Sequence, residues 1–248
     1  MIRRPFVIRR CAISSVWLVL LLGSTRTHAG GTAPDKVASK QALMALQNYV
    51  GDWKGAGASK GGGKEAWTEE SVWAWDFKSG QAALSFTTTQ GKYYAAGRIE
   101  AGEKEGTYVF TGTLPDGKTT EVLKGNAHKD EVVLVNENPA AGRPAKLELT
   151  LFAKGKRLVL TLYAKDAAGK NFTPLAEVGF TRKGSGFGKD AQGPECVVTG
   201  GLGTSTVSYK GKTYYVCCSG CRDEFNANPE PILAEFAERK KKEKEASK

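Results

Sequence analysis

The chain has 248 residues, of which 40% are hydrophobic and 25% charged, the composition of an ordinary globular protein with room for one or two domains. Its formal charge of +10 is concentrated at the ends: five arginines lie in the first 29 residues and a net four positive charges in Arg239–Lys248, which leaves the body between them within one unit of neutral. That balance argues against a nucleic-acid surface, and no nucleic-acid partner is expected.

Residues 1–29 read as a targeting segment. Arg3, Arg4, Arg9 and Arg10 precede an apolar run from Ala12 to Gly23, and Thr27-His28-Ala29 ends in the small residue that a signal peptidase requires. The run is too short to span a bilayer. The expectation is cleavage near Ala29, no transmembrane anchor, and a mature protein that is periplasmic or secreted. Arg3-Arg4-Pro5-Phe6-Val7 also resembles a twin-arginine signal, which would suit a protein folded around its cofactor before export; both routes stay open. Cys11 precedes the apolar run and would leave with the leader.

Residues 30–49 are expected to form a linker and a short helix. Val37, Leu43, Met44 and Leu46 recur at helical spacing between Asp35 and Asn48, with Gly51 just beyond, which predicts a helix of about three turns.

From residue 50 to 183 the period changes to two. Leu147, Leu149 and Leu151 alternate with more polar neighbours, as do Leu158, Leu160 and Leu162, Tyr108 and Phe110, Leu84 and Phe86, and Val132 and Leu134. Turn signals recur at Ser79-Gly80, Gln90-Gly91, Gly102-Glu103, Pro115-Asp116-Gly117, Gly155 and Ala168-Gly169. Evenly spaced strands without helices between them predict a mainly β fold: a meander of about eight to ten antiparallel strands closed into an up-and-down barrel, which removes exposed edges.

Gly51-Asp52-Trp53 opens the first strand and Arg182 closes the last, after Val178 and Phe180 on the same face. This resembles the lipocalin and calycin pattern, in which a tryptophan of the first strand is covered by an arginine of the last. The resemblance implies a structural closure by Trp53 and Arg182, a cation–π contact with no catalytic role. Val50-Gly51-Asp52-Trp53-Lys54-Gly55 is similar to small haem-binding barrels of the nitrobindin type as well. Those use a histidine, and His128, the one left after leader removal, sits in a polar stretch that reads as a surface turn. A calycin-like interior implies an apolar small-molecule ligand or a filled core, and the inward Leu, Phe, Tyr and Trp favour the filled core.

No catalytic signature emerges. There is no Gly-x-Ser-x-Gly elbow, P-loop or metalloprotease helix, and the scattered acidic residues are expected mainly in turns or on alternating outward strand positions. The chain does not read as an enzyme.

Residues 184–192, rich in glycine and charge, form a linker into a cysteine module, 193–238. Cys196 and Cys217 have twenty residues between them, and Cys217 and Cys221 have three. Lys210-Gly211-Lys212 predicts a tight hairpin between Val207/Tyr209 and Tyr214/Val216, which returns the chain beside Cys217. Ser219 is a candidate N-cap of a helix through Phe225. Cys221 would then lie in the first turn, where backbone N–H groups favour thiolate. Cys196, Cys217 and Cys221 could thus converge on one metal ion.

Together with Tyr209-Lys210-Gly211-Lys212-Thr213-Tyr214-Tyr215 and Cys221-Arg222-Asp223-Glu224-Phe225, followed by Asn228-Pro229-Glu230, these cysteines resemble the YHS or TRASH-type heavy-metal-binding domain. The resemblance covers roughly the last fifth of the chain. It implies a small treble-clef-like α+β module that uses the three cysteines as ligands. Cys218 is auxiliary: a fourth ligand, a resolving thiol, or neither, since neighbours on an extended strand point to opposite faces. Three sulfurs with an open position suit Cu(I); four thiolates suit Zn(II). Two disulfides in an oxidising compartment, and dithiol redox chemistry, are the competing readings.

Asn228 and Pro229 begin a last helix with the apolar stripe Ile232, Leu233 and Phe236, expected to pack on Tyr214, Tyr215 and Phe225. Residues 239–248 form a basic, solvated tail. The function expected is exported metal binding, in sequestration, delivery or sensing. A barrel-based small-molecule carrier and a thiol oxidoreductase are the alternatives.

Overall fold

The computed structural model of the protein describes residues 36–60, 65–166, 168–183 and 193–246. The expected leader, 1–29, and the expected linker, 184–192, lie outside the described residues. No described helix is long and apolar enough to cross a membrane.

The chain begins with α1 (Lys36–Leu43), which tightens into a 3-10 helix, Met44–Tyr49. The sequence had predicted one continuous α-helix. At three residues per turn, positions three apart stack in one row, and Leu43, Leu46 and Tyr49 are all buried. Tightening therefore turns three apolar side chains onto the barrel, where the Tyr49 hydroxyl donates to the Leu149 carbonyl at 3.0 Å.

Ten antiparallel strands follow: β1 (Gly51–Ser59), β2 (Ala66–Asp76), β3 (Ala83–Thr89), β4 (Ala96–Ala101), β5 (Thr107–Thr113), β6 (Thr120–His128), β7 (Glu131–Val135), β8 (Lys146–Phe152), β9 (Arg157–Lys165) and β10 (Phe172–Arg182). Each pairs with its neighbour in sequence, and β10 pairs with β1, so the sheet closes as an up-and-down barrel. Closure leaves no free edge. His128 is exposed at the end of β6, one step outside the turn expected around it, because Lys129 and Asp130 alone make the reversal.

The lumen is filled by aromatic side chains laid across glycines. A Cβ at Gly57 would lie 2.2 Å from the Trp67 ring, and one at Gly97 would lie 2.4 Å from Phe86 and 2.5 Å from Phe110. Trp73 stacks on Phe86 at 4.6 Å, and Tyr94 meets Phe110 edge-on at 5.3 Å. About 30 Å³ of free space remains, room for a water-sized guest. Two acidic residues depart from the expected outward pattern: Glu69 follows the inward register of β2 with Ser71 and Trp73 and accepts a hydrogen bond from Trp67 Nε1 at 2.8 Å, and Glu121 follows that of β6 with Leu123 and accepts from Arg143 Nε at 2.6 Å.

At one end of the barrel Trp53 and Arg182 are register partners. The guanidinium sits 4.2 Å from the centre of the indole, and it donates to the carbonyls of Gly155 (2.8 Å) and Val50 (2.5 Å). Trp53 Nε1 donates to the Tyr49 carbonyl at 2.9 Å, so the 3-10 helix, β1 and β10 are tied at one point.

The cysteine module is α+β. The hairpin of β11 (Ser205–Tyr209) and β12 (Lys212–Val216) turns at Lys210 and Gly211, both with positive φ (47° and 75°), the requirement of a two-residue type I′ turn. Then come α2 (Ser219–Ala227) and α3 (Pro229–Ala246). Ile232 is buried, with Leu233 and Phe236 against the same apolar cluster. Tyr214 packs on Phe225 at 5.5 Å, whereas Tyr215, on the other face of β12, is exposed instead of packing under α3. Lys36 pairs with Glu224 and Lys40 with Glu235, both at 2.6 Å, so α1 is pinned to α2 and α3.

Candidate metal centre

Three short structures deliver the sulfurs. The first is a knuckle in which Glu195 pairs with Leu202 across an isolated bridge. Inside it the Cys196 N–H donates to the Gly201 carbonyl at 2.6 Å and the Gly200 N–H to the Cys196 carbonyl at 2.8 Å. Gly200 has a φ of +77°, a conformation that glycine adopts without a Cβ penalty. The second is the end of β12. Val197 N–H donates to the Tyr215 carbonyl (2.8 Å) and Thr204 N–H to the Val216 carbonyl (2.9 Å), which locks the knuckle beside the strand. The third is the start of α2, which carries Cys221.

These bring Cys196, Cys217 and Cys221 together, with all three Sγ atoms within 4.8 Å of one another. Cys217 Sγ lies 3.5 Å from Cys221 Sγ and 3.6 Å from Thr199 Oγ1. All four cysteines of the module are free thiols; Cys196 and Cys221 are buried, Cys217 and Cys218 half-buried.

Cys218 is not among the three. The strand stops at Val216 and residues 217–218 form a bend, so the two adjacent side chains do not diverge as strand neighbours would: their sulfurs are 3.9 Å apart. Cys218, in place of the expected Ser219, occupies the N-cap of α2, with extended backbone (φ −160°, ψ 173°). Its Sγ accepts the backbone N–H of Trp75 at 3.4 Å. That N–H is available because β2 runs past the end of its pairing with β1 at Trp73. The barrel thus touches the cluster through a main-chain group, which carries no side-chain signature in sequence.

The sulfurs divide into two pairs. Hydrogen bonds from Cys217 and then Cys221 pull the Cys196 thiol far below its ordinary value. The same donors, with the backbone N–H groups of Cys221 and Trp75, do so for Cys218. Cys217 is pushed up because it donates to Cys196 and Cys218, and Cys221 is pushed up by burial first and by donation second. The opposite directions follow from which sulfur accepts and which donates within the cluster, with Cys196 and Cys218 on the accepting side.

Outer contacts fix the knuckle. Arg239 of α3 donates to Glu195 Oε1 (2.7 Å) and to the carbonyls of Cys196 (3.3 Å) and Val197 (3.1 Å). Gln47 of the 3-10 helix reaches it from the other side. In the amide orientation that satisfies both ends, Nε2 donates to Thr199 Oγ1 at 3.3 Å and Oε1 accepts the Gly201 N–H at 3.1 Å. Neither Arg239 nor Gln47 was singled out in the sequence; a glutamine on a short helix far from the cysteines gives no signal.

No family model matches the chain, and no curated protein matches it. Among solved structures, the crystal structure of Rv2717c from M. tuberculosis is similar, with 22% sequence identity and a TM-score of 0.40, over 57% of this chain and 97% of that one.

Proposed function

We propose that the protein binds one soft or borderline transition-metal ion, Cu(I) or Zn(II), through Cys196, Cys217 and Cys221, and serves in its sequestration, delivery or sensing outside the cytoplasm. The observation that carries this reading is the convergence of three thiols from three separate structures within 4.8 Å. An ion bonded to sulfur at about 2.3 Å in trigonal or tetrahedral geometry requires sulfurs about 3.8–4.0 Å apart. The observed Cys217–Cys221 distance of 3.5 Å needs a shift of a few tenths of an ångström. The bound ion would supply a positive charge at the centre of thiols that otherwise share protons.

The donor set sets the preference. Three sulfurs leave an open position and favour Cu(I); rotation of Cys218, whose sulfur is 3.9 Å from that of Cys217, would close a four-thiolate site suited to Zn(II). The module is read as a binder and not as an enzyme. A carrier role for the barrel draws less support, since the lumen offers about 30 Å³, against the several hundred that a drug-sized guest occupies.

Metal analysis of protein purified from its native compartment, with anaerobic thiol counting, tests the reading. About one ion per chain, lost in Cys217→Ser, is expected. Metal-free protein whose four cysteines form two disulfides would overturn it.

A further inference from the structure

The tightening of Met44–Tyr49 to a 3-10 helix does more than cover the barrel end. Four residues beyond Leu43, an α-helix at about 100° per residue would bring Gln47 to within about 40° of the Leu43 row; at about 120° per residue it lies about 120° away. Leu43 is buried on the barrel side. The change of pitch therefore takes the Gln47 amide off the barrel and onto the cysteine knuckle, where a Cβ on Gly201 would lie 3.1 Å from it.

There the amide grips Thr199 at two atoms. In the orientation that satisfies both of its ends, Nε2 donates to the Thr199 carbonyl at 2.5 Å and to Oγ1 at 3.3 Å. Thr199 is one of the few buried polar residues, 1% exposed, and its Oγ1 lies 3.6 Å from Cys217 Sγ. The sulfur of Cys196 meets both the hydroxyl and the N–H of the same threonine. A hydroxyl has one proton and two lone pairs, and it turns to suit its neighbours. With one lone pair taken by Gln47, and with no proton on a sulfur that is bonded to a metal, the hydroxyl proton is directed at the ligand sulfurs.

We propose that Gln47 and Thr199 complete the metal centre from the barrel side: Gln47 fixes the Thr199 hydroxyl as a hydrogen-bond donor to the ligand sulfurs, and that donation tunes how tightly the site holds its ion. The proposal rests on the metal-binding reading above and adds two residues to that site. Thiolates gathered around one ion carry excess negative charge, and Cys196 and Cys221 hold theirs with no exposed surface. Water cannot offset that charge, so a fixed donor beside the sulfurs stabilises the loaded site. Gln47 acts through Thr199 and is a positioning residue. The cysteine module thus draws part of its metal site from Met44–Tyr49, about 150 residues earlier in the chain.

Anaerobic titration of the full reduced chain tests this, with Cu(I) in competition with a chromophoric chelator and with Co(II), whose sulfur-to-metal charge-transfer band reports the electron density on the ligand sulfurs. Thr199→Val keeps the shape and removes the hydroxyl. It should weaken Cu(I) binding by about tenfold and move the Co(II) band to longer wavelength, because a sulfur without its donor gives up charge more readily. Gln47→Met, at a half-buried position, should do the same to a smaller degree, and it keeps the test open where Thr199→Val disturbs the fold. In the double variant the Gln47→Met effect should vanish, since the hydroxyl it positions is gone. Thr199→Ser retains the hydroxyl and should bring both readouts close to wild type. Unchanged affinity and band in Gln47→Met, effects that add in the double variant, or Thr199→Ser matching Thr199→Val would each overturn the proposal while leaving metal binding intact. Wild type that takes up neither Cu(I) nor Co(II) would remove the metal reading and this one with it.

Discussion

Gly220 lies in the first turn of α2, between Cys218 and Cys221, and is the point where the module backs onto the barrel. A Cβ there would lie 1.6 Å from the Trp75 carbonyl oxygen and 2.6 Å from its carbon, where ordinary contact begins at 3.4 Å. Both offending atoms are main chain of a paired strand, so α2 must move. Gly220→Ala should gain up to about 1 kcal/mol of helix propensity. Against this stand overpacking at about 1–3 kcal/mol and loss of the Trp75 N–H to Cys218 Sγ bond at about 1 kcal/mol. The expected net effect is destabilisation by about 2 kcal/mol. Urea unfolding followed by tryptophan fluorescence measures it, with Ser219→Ala, at an exposed neighbour, as a control expected within about 0.5 kcal/mol of wild type. Because the shift carries Cys221 away from Cys196, metal affinity should fall at least about tenfold, near 1.4 kcal/mol. A Gly220→Ala protein as stable as wild type, with unchanged metal affinity, would refute the close approach of α2 to β2.

Arg182→Ala should destabilise the fold by about 2–3 kcal/mol, through loss of the Trp53 contact and of hydrogen bonds to buried carbonyls. Arg182→Lys should recover less than half in the same urea assay, because an ammonium cannot serve several carbonyls in a plane; full recovery would argue for charge alone. Burial raises the Glu69 carboxyl above 4.5, so the folded state holds that proton more tightly than the unfolded chain. The associated stability is present below about pH 4.5 and is lost as pH rises through the raised folded value. Glu69→Gln, whose amide oxygen can still accept the Trp67 N–H, should flatten that slope and be more stable than wild type at pH 7; an unchanged slope in urea titrations at several pH values would show the carboxyl to be solvated. Glu195→Ala removes the partner of Arg239 and Lys240 and should cost about 1–2 kcal/mol. It should also speed exchange of the Cys196 and Gly200 amides measured by hydrogen–deuterium exchange, and unaltered protection there would show that α3 does not brace the knuckle.

Local pattern carried far in this chain. The alternation of Leu147, Leu149 and Leu151 is a property of one strand and survives any neighbour, so the barrel strands were legible before their pairing was known. Lys210-Gly211 demanded a hairpin, and Asn228-Pro229 a helix boundary, for reasons internal to a few residues. Where the period itself changed in response to a distant surface, the reading failed: residues 44–49 tighten to 3-10 because Leu46 and Tyr49 have a barrel end to cover. Glu69 and Glu121 depart from the mainly outward pattern of the acidic residues because inward or outward depends on register, not on charge.

What the amino-acid sequence by itself determined is the set of parts: a strand meander with a tryptophan and an arginine at its seam, and cysteines at a spacing able to meet. Only the tertiary structure decided how those parts work on one another. The N–H of Trp75 on Cys218, the amide of Gln47 on the knuckle, and the guanidinium of Arg239 on the carbonyls of Cys196 and Val197 all join residues far apart in the chain. Hydrogen bonds and electrostatic fields depend on separation in space, and nothing local to a cysteine specifies which strand end, glutamine or lysine will lie beside it.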